Sequence, residues 1–341
     1  MPIADYKTYC SILDRARSGG YALPAANVTS LTTANAVLRG LAESTADGII
    51  QISTGGGAFA SGTTVKDSAL GAIAIAEHVH RAAKRYPIYV ALHTDHCLKD
   101  KLDKFVLPLV AETEKRRAAG RPNLFTGHMF DGSNLSLQEN LDISAKLLER
   151  FAKNELVLEI ETGAVGGEED DVVGDHAAKL YTTPEDTLEV ARRLNPIGGR
   201  YLLAATFGNV HGVYKPGHVK LKPEVLRDCQ AAVVKAHGES ARFYLVFHGG
   251  SGSTQQEIHE SLDYGVVKMN VDTDMQYAFT RAVAGHMFKN YDGVLKVDGE
   301  LGSKKAYDPR AYLAVAEAAM AERVKQAVSD LRGAGKTMFA S

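Results

Sequence analysis

Three histidines, His96, His211 and His248, each stand at the polar end of a short apolar run, and acidic or amide residues occupy the same place on neighbouring runs. Asp95 adjoins His96, while Asn27, Ser53, Asp131, Glu161, Asn270 and Asp272 close the others. Three imidazoles converging on one point could hold Zn2+ and leave its fourth position open to water or substrate. Carbanion chemistry needs a Lewis acid on a carbonyl oxygen, a base for a C–H proton and an acid/base for a hydroxyl. The chain offers candidates for all three roles. Spacing alone leaves rivals open: His93 and His128 lie on the same runs as potential ligands, and Glu168-Glu169 sits in a polar stretch where carboxylates are commonly solvated.

A second group of residues suits phosphate. His248-Gly249-Gly250-Ser251-Gly252-Ser253 and Asn270-Val271-Asp272-Thr273-Asp274 combine glycines, whose N–H groups can approach an anion, with hydroxyl donors. Ser53-Thr54-Gly55-Gly56-Gly57 reads as another Gly-rich turn able to do similar work, and Lys215 could add charge.

These residues need a scaffold that brings distant runs together. The runs are Tyr21–Val28, Gly48–Thr54, Ile88–His96, Leu124–Ser133, Leu156–Gly163, Tyr201–Gly212, Tyr244–Ser253 and Val266–Asp274. Continuous apolar, β-branched stretches are the mark of strands buried on both faces. Amphipathic stretches near 5–18, 32–46, 66–85, 98–119, 138–153, 184–194, 222–237, 254–264, 275–290 and 308–332 are expected as helices. Thr183-Pro184 and Asp308-Pro309 look like helix starts, each a capping residue followed by proline at the first helical position. Strands alternating with helices predict a parallel sheet, and eight units predict a closed (β/α)8 TIM barrel with additional terminal helices. Such barrels place their chemistry at the C-terminal ends of the strands, which is where this chain places its polar residues, and commonly bind phosphate after strands seven and eight. Residues 163–179 are polar and Gly-rich, and read as a mobile loop over the site.

A length of 341 residues suits one such barrel with insertions, and no low-complexity or Pro/Ser-rich linker divides it, so residues 1–341 are read as a single domain. Charged residues make up 23% and the net charge is −2, with signs mixed, which gives no electrostatic footprint for nucleic acid or an anionic membrane. Cys10, Cys97 and Cys229 are too few and scattered for a disulfide framework and fit a reducing compartment. No signal peptide or bilayer-length apolar stretch is evident, so the expected location is cytoplasmic.

The chain closely resembles the class II (zinc-dependent) fructose-1,6-bisphosphate aldolases. The resemblance is carried by Ala91-Leu92-His93-Thr94-Asp95-His96-Cys97, Leu158-Glu159-Ile160-Glu161, Gly166-Gly167-Glu168-Glu169-Asp170, Phe207-Gly208-Asn209-Val210-His211-Gly212-Val213-Tyr214, Phe247-His248-Gly249-Gly250-Ser251-Gly252-Ser253, Lys268-Met269-Asn270-Val271-Asp272-Thr273-Asp274 and Tyr307-Asp308-Pro309-Arg310, and it spans nearly the whole chain. It implies His96, His211 and His248 as ligands of the catalytic Zn2+, Asp95 as the group exchanging a proton with the C4 hydroxyl, and Glu169 as the proton donor at the nucleophilic carbon. It implies Asn270 and Asp272 on substrate hydroxyls or the enediolate, with Asn27 in the same pocket. Ser53, Lys215, Gly249, Ser251 and Thr273 would handle the phosphates, with a monovalent cation (Na+ or K+) near Gly212 and Gly249. Arg310 would reach a phosphate from a neighbouring subunit, implying a homodimer or homotetramer, and Asp131 and Glu161 resemble carboxylates that take a second or displaced metal. The implied reaction is reversible cleavage of fructose 1,6-bisphosphate to dihydroxyacetone phosphate and glyceraldehyde 3-phosphate. Asp171 departs from the pattern, since the family commonly has glycine there, and bears on the loop rather than the reaction class.

Other readings have distinct signatures. A tagatose-1,6-bisphosphate aldolase would differ only in configuration at C4. A Schiff-base aldolase needs a buried lysine, for which Lys268 has the strand parity of Asn270 and Asp272. A metal-dependent hydrolase on this fold would use bound water as nucleophile, and a non-catalytic sugar-phosphate-binding protein would bind without turnover.

Overall fold

The computed structural model describes residues 2–163, 166–169, 172–174, 181–211, 221–250, 252–295 and 301–339; for 166–169, 172–174 and 210–211 it describes the backbone. The barrel strands are β1 Leu23–Asn27, β2 Gly48–Ile52, β3 Val90–Thr94, β4 Gly127–Phe130 and β5 Val157–Thr162, and then β8 Tyr201–Ala205, β10 Leu245–Phe247 and β11 Val266–Asn270. All pair in parallel, and β1 closes the ring on β11. Three short strands, β6 Gly166–Glu169, β7 Val172–Gly174 and β9 Val210–His211, form a separate small sheet in the order β7-β6-β9. The expected (β/α)8 barrel is therefore present.

Helices α1 Tyr6–Gly19, α2 Leu31–Glu43, α3 Thr54–Ala60, α4 Ser68–Ala82, α5 Val106–Ala118 and α6 Leu137–Lys153 lie in the first half. The second half adds α7 Pro184–Leu194, α8 Glu224–His237, α9 Gln255–Asp263, α10 Thr273–Lys289, α11 Tyr291–Val294, α12 Lys304–Tyr307 and α13 Pro309–Asp330. Both proline starts hold. Thr183 and Asp186 exchange side-chain and backbone bonds in a capping box, and the Asp308 carboxylate accepts from the Arg310 N–H.

Alternation along each strand divides the apolar residues into two layers. Ile50, Ile52, Val90, Leu92, Leu158 and Leu245 face the helices. Leu23, Ala25, Ile49, Ala91, Val157, Leu202 and Val246 face inward and pack on Tyr9 and Leu13 of α1. The buried positions of α1, Tyr9, Ile12, Leu13 and Ala16, fall on one helical stripe, so α1 closes the N-terminal pole of the barrel. Between β10 and β11 the register slips: Leu245 pairs with Val266, but Val246 pairs with Lys268. Val267 is thus an extra residue, and the bulge turns Lys268 and Asn270 inward.

Three sequence expectations need correction. The stretch 98–119 is not one helix: a 3-10 turn over 99–104 stops at Phe105, and α5 begins after it. Pro108 explains the break, because it lacks an N–H and its ring would collide with the carbonyl of residue 104 in a continuous helix; in the first turn of α5 it is tolerated. The stretch 163–179, read as a mobile loop, contains the paired strands β6 and β7 among its described residues, and β6 pairs with β9. The Gly-rich turn after Ser53 is the helix α3. Among the described residues, no helix is long and apolar enough to cross a membrane.

His128 was a rival metal ligand by spacing. It faces the helix layer, packed between Phe125 and Phe151, and burial lowers its pKa to about 3. In the unfolded chain this imidazole gains its proton near pH 6.5, whereas the folded state resists it. The stability it allows is complete above pH 6.5 and is lost as pH falls toward 3. His128→Leu should therefore reduce the drop in unfolding free energy between pH 7.5 and pH 5 by about 2 kcal/mol, measured by urea titration at both values. An unchanged drop would mean that His128 is not buried neutral.

Candidate active site

The C-terminal ends of the strands bring most of the sequence-predicted residues to one place. β3 ends in Asp95 and His96, β10 in His248, β11 in Asn270, β1 in Asn27, β4 in Asp131, and Glu161 lies near the end of β5. Asp95, His96 and His248 have ligand atoms within 4.8 Å of one another, and so do His96, Asp131 and Glu161. Asp95 is buried and held from two sides: Asn27 Nδ2 donates to Oδ2 at 2.7 Å and Asn270 Nδ2 to Oδ1 at 3.0 Å.

The two imidazoles meet nitrogen to nitrogen, with His96 Nε2 and His248 Nδ1 2.9 Å apart. Their other nitrogens face carboxylates: His96 Nδ1 lies 2.9 Å from Asp131 Oδ2, and His248 Nε2 lies 2.8 Å from Glu159 Oε1. A carboxylate only accepts, so each imidazole keeps an N–H on that side and, when neutral, directs a lone pair at the other ring. Two facing lone pairs at this distance repel unless a cation lies between them. The arrangement fits a divalent metal, since metal-binding histidines ordinarily donate their second nitrogen to a carboxylate. Burial of Asp131 opposes its ionisation, but hydrogen bonds from His96 and Ser133 prevail and hold the carboxyl well below its usual range.

His211 does not close a barrel strand, as the sequence suggested. The barrel pairing ends at β8; Gly208, at φ +94°, turns the chain, and Asn209 Oδ1 accepts from the Phe207 N–H before β9 begins. The backbones of Gly167 and His211 pair, which puts β6, the strand carrying Glu169, beside His211. The side chains of Glu169 and His211 lie outside the described part, as do Gly212, Lys215, Ser251 and Asp171 altogether. His93 points into the barrel below the site, its Nδ1 2.8 Å from the Thr94 carbonyl, and burial lowers its pKa to about 4. Burial raises the Cys97 thiol to about 12, so it stays protonated beside His96.

A cavity of about 610 Å3 opens beside these groups, lined by polar Asn27, Ser53 and Asp272 and by apolar Phe59, Phe279 and Leu313. That size accommodates a small phosphorylated ligand. Ser53 caps α3, its Oγ accepting from the Gly56 N–H at 3.0 Å. Asp272 precedes α10, with Thr273 as its first residue. Gly249 adopts φ +64°, which glycine tolerates best. Arg310 is not drawn into this site within the subunit; its side chain is 88% exposed and pairs with Asp308.

The chain matches the family described as class-II fructose-bisphosphate aldolase over residues 7–336. The chain belongs to this family. A fructose-bisphosphate aldolase of Mycobacterium leprae is 57% identical over the full length of both chains. The Escherichia coli class 2 fructose-bisphosphate aldolase is 45% identical over 93% of this chain and 92% of its own. The crystal structure of the Campylobacter jejuni fructose-bisphosphate aldolase superposes with a TM-score of 0.87 at 38% identity, covering 98% of this chain and 97% of that one.

Sequence reasoning gave no supporting role to four residues that hold the candidate site of this class II aldolase family member. Glu159 holds His248; Lys268 holds Glu159; Asn209 Nδ2 donates to the His248 carbonyl at 2.8 Å; and Asn140 Nδ2 donates to the Glu161 carbonyl at 2.7 Å. A signal existed for the first two, since a charged residue at inward parity on an otherwise apolar strand must meet a partner inside.

Ser53 owes its place to close contact between α3 and α4. A Cβ at Gly71 would lie 1.9 Å from the Gly57 carbonyl oxygen. Gly71→Ala should part the helices and cost about 3 kcal/mol, the upper end for overpacking, seen as a lower Tm. Gly285→Ala in α10 has open space and should match or exceed the parent. Equal melting of the two variants would contradict the contact.

Proposed function

We propose that this enzyme reversibly cleaves fructose 1,6-bisphosphate to dihydroxyacetone phosphate and glyceraldehyde 3-phosphate, in glycolysis and gluconeogenesis. The observation that carries this reading is the facing pair His96 and His248 beside the doubly held Asp95, in a chain of this family. His96 and His248, joined by His211, would hold Zn2+. Bound there, the ion supplies a Lewis acid for the C2 carbonyl, worth several kcal/mol of charge stabilisation.

The chain's own groups do the rest. Asn27 and Asn270 each occupy one lone pair of a different Asp95 oxygen, which fixes the carboxylate and leaves further acceptor capacity on both. Asp95 takes the proton of the C4 hydroxyl as the C3–C4 bond breaks. Asn270 and Asp272 hold substrate oxygens, and Glu169 returns a proton to C3. Ser53, Lys215, Gly212, Gly249, Ser251 and Thr273 bind the phosphates, with a Na+ or K+ ion near Gly212 and Gly249. Asp131 and Glu161, which share His96 between them, would take a second or displaced metal. The exposure of Arg310 suits action on a neighbouring subunit's phosphate, hence a homodimer or homotetramer, and the setting is cytoplasmic. A Schiff base at Lys268 is disfavoured: its Nζ is engaged by both Glu159 oxygens and by Asn270 Oδ1, and Lys268 does not line the cavity. The relatives bear the fructose name, so the C4 epimer has no support of its own.

The deciding assay is cleavage coupled to triose-phosphate detection, before and after EDTA and with zinc restored. Activity should vanish with the chelator and return with zinc, and tagatose 1,6-bisphosphate should be the poorer substrate. Chelator-resistant cleavage would overturn the metal reading. His96→Ala should lose zinc and activity together, whereas Asp95→Ala should lose about 100- to 10,000-fold in kcat while keeping near-normal zinc content. Full turnover by the Asp95 variant would remove its assigned role.

A further inference from the structure

Lys268 is 0% exposed and lies inside the barrel, and it does not line the cavity. Its Nζ is 2.8 Å from Glu159 Oε2, 3.0 Å from Glu159 Oε1 and 2.8 Å from Asn270 Oδ1. A lysine has donors only, so the Asn270 atom it meets must be the carbonyl oxygen. The Asn270 amide NH2 is thereby turned toward the mouth, where Nδ2 lies 3.0 Å from both Asp95 Oδ1 and His248 Nδ1. The same ammonium holds the carboxylate that receives the His248 Nε2–H. One buried cation thus orients an amide and, through Glu159, an imidazole.

We propose that Lys268 is a positioning residue, which fixes the Asn270 amide with its NH2 toward the substrate and so sets the rate of the proposed aldol reaction. This rests on the reading of the barrel mouth given above. An ion pair buried this deeply adds little stability over a well-packed apolar pair, because desolvation offsets its attraction. What it adds here is direction: among the described residues, Nζ is the donor that holds the Asn270 carbonyl oxygen on the inner side. The β-bulge at Val267 belongs to the same device, because it brings Lys268 to inward parity opposite Val246.

Lys268→Met alone would leave Glu159 buried without its counter-charge and could fail to fold. The test therefore uses Lys268→Met combined with Glu159→Gln, which removes both charges at nearly constant volume and keeps an acceptor for His248. The measurements are zinc affinity by competition with a chromophoric chelator, Tm of the metal-free protein, and kcat and KM of the zinc-loaded protein. Expected are a Tm near that of the parent, zinc affinity reduced no more than about tenfold, the lower end for a lost outer partner, and kcat lower by about 10- to 100-fold. Asn270→Ala added to the double variant should cost less than about threefold more, although alone in the parent it should be severe, because residues acting as a unit are non-additive. A double variant with parental kcat would reduce Lys268 to a packing residue, and effects that multiply would separate it from Asn270. Parent protein inactive when zinc-loaded would overturn the reaction and this inference with it, whereas an active parent confines any failure to Lys268.

Discussion

Two imidazole lone pairs facing each other at 2.9 Å cannot be left alone, and the structure is organised around that fact. Each ring is fixed by a carboxylate behind it, each carboxylate is held by a donor of its own, and the two rings and two carboxylates come from four different strands. Asp131 is held by Ser133 and Glu159 by Lys268. A parallel barrel can supply such convergence because its strand ends meet in a ring, and a side chain need extend only a few ångströms to meet one from three strands away. The apolar inward layer below, closed by α1, keeps water from the floor of the site.

The fold was legible because both-face burial leaves a coarse mark: eight apolar runs separated by helical stretches. The polar strand ends were legible for the same reason, since a histidine or aspartate at the close of an apolar run stands out. Helix breaks and short sheets were less so. The stop at Phe105 depends on Pro108 meeting a carbonyl four residues back, and β6 becomes a strand through pairing with β7 on one side and β9 on the other. Ser53-Thr54-Gly55-Gly56-Gly57 read as a turn from its glycines, yet those glycines serve a helix crossing that spacing cannot reveal.

The supporting groups were the hardest to see. Glu159 lay within a quoted motif, and Lys268 was weighed for other chemistry, because nothing local says that these two meet across the barrel. Their pairing follows from register, which is a long-range property. Asn209 and Asn140 act on carbonyl oxygens, and an amide bonded to backbone looks, in sequence, like any loop or helix asparagine.

The bulge at Val267 carries one further consequence. Since strand residues alternate between inside and outside, the number of residues between the start of β11 and Asn270 matters as much as their identity. Loops around the barrel can lengthen or shorten while the strands stay where they are. Were the bulge to flatten, with Val267 paired to Val246, a lysine would be carried out among apolar helices and a methionine into the polar centre. The chain is tolerant of length almost everywhere, but here counting is part of the chemistry.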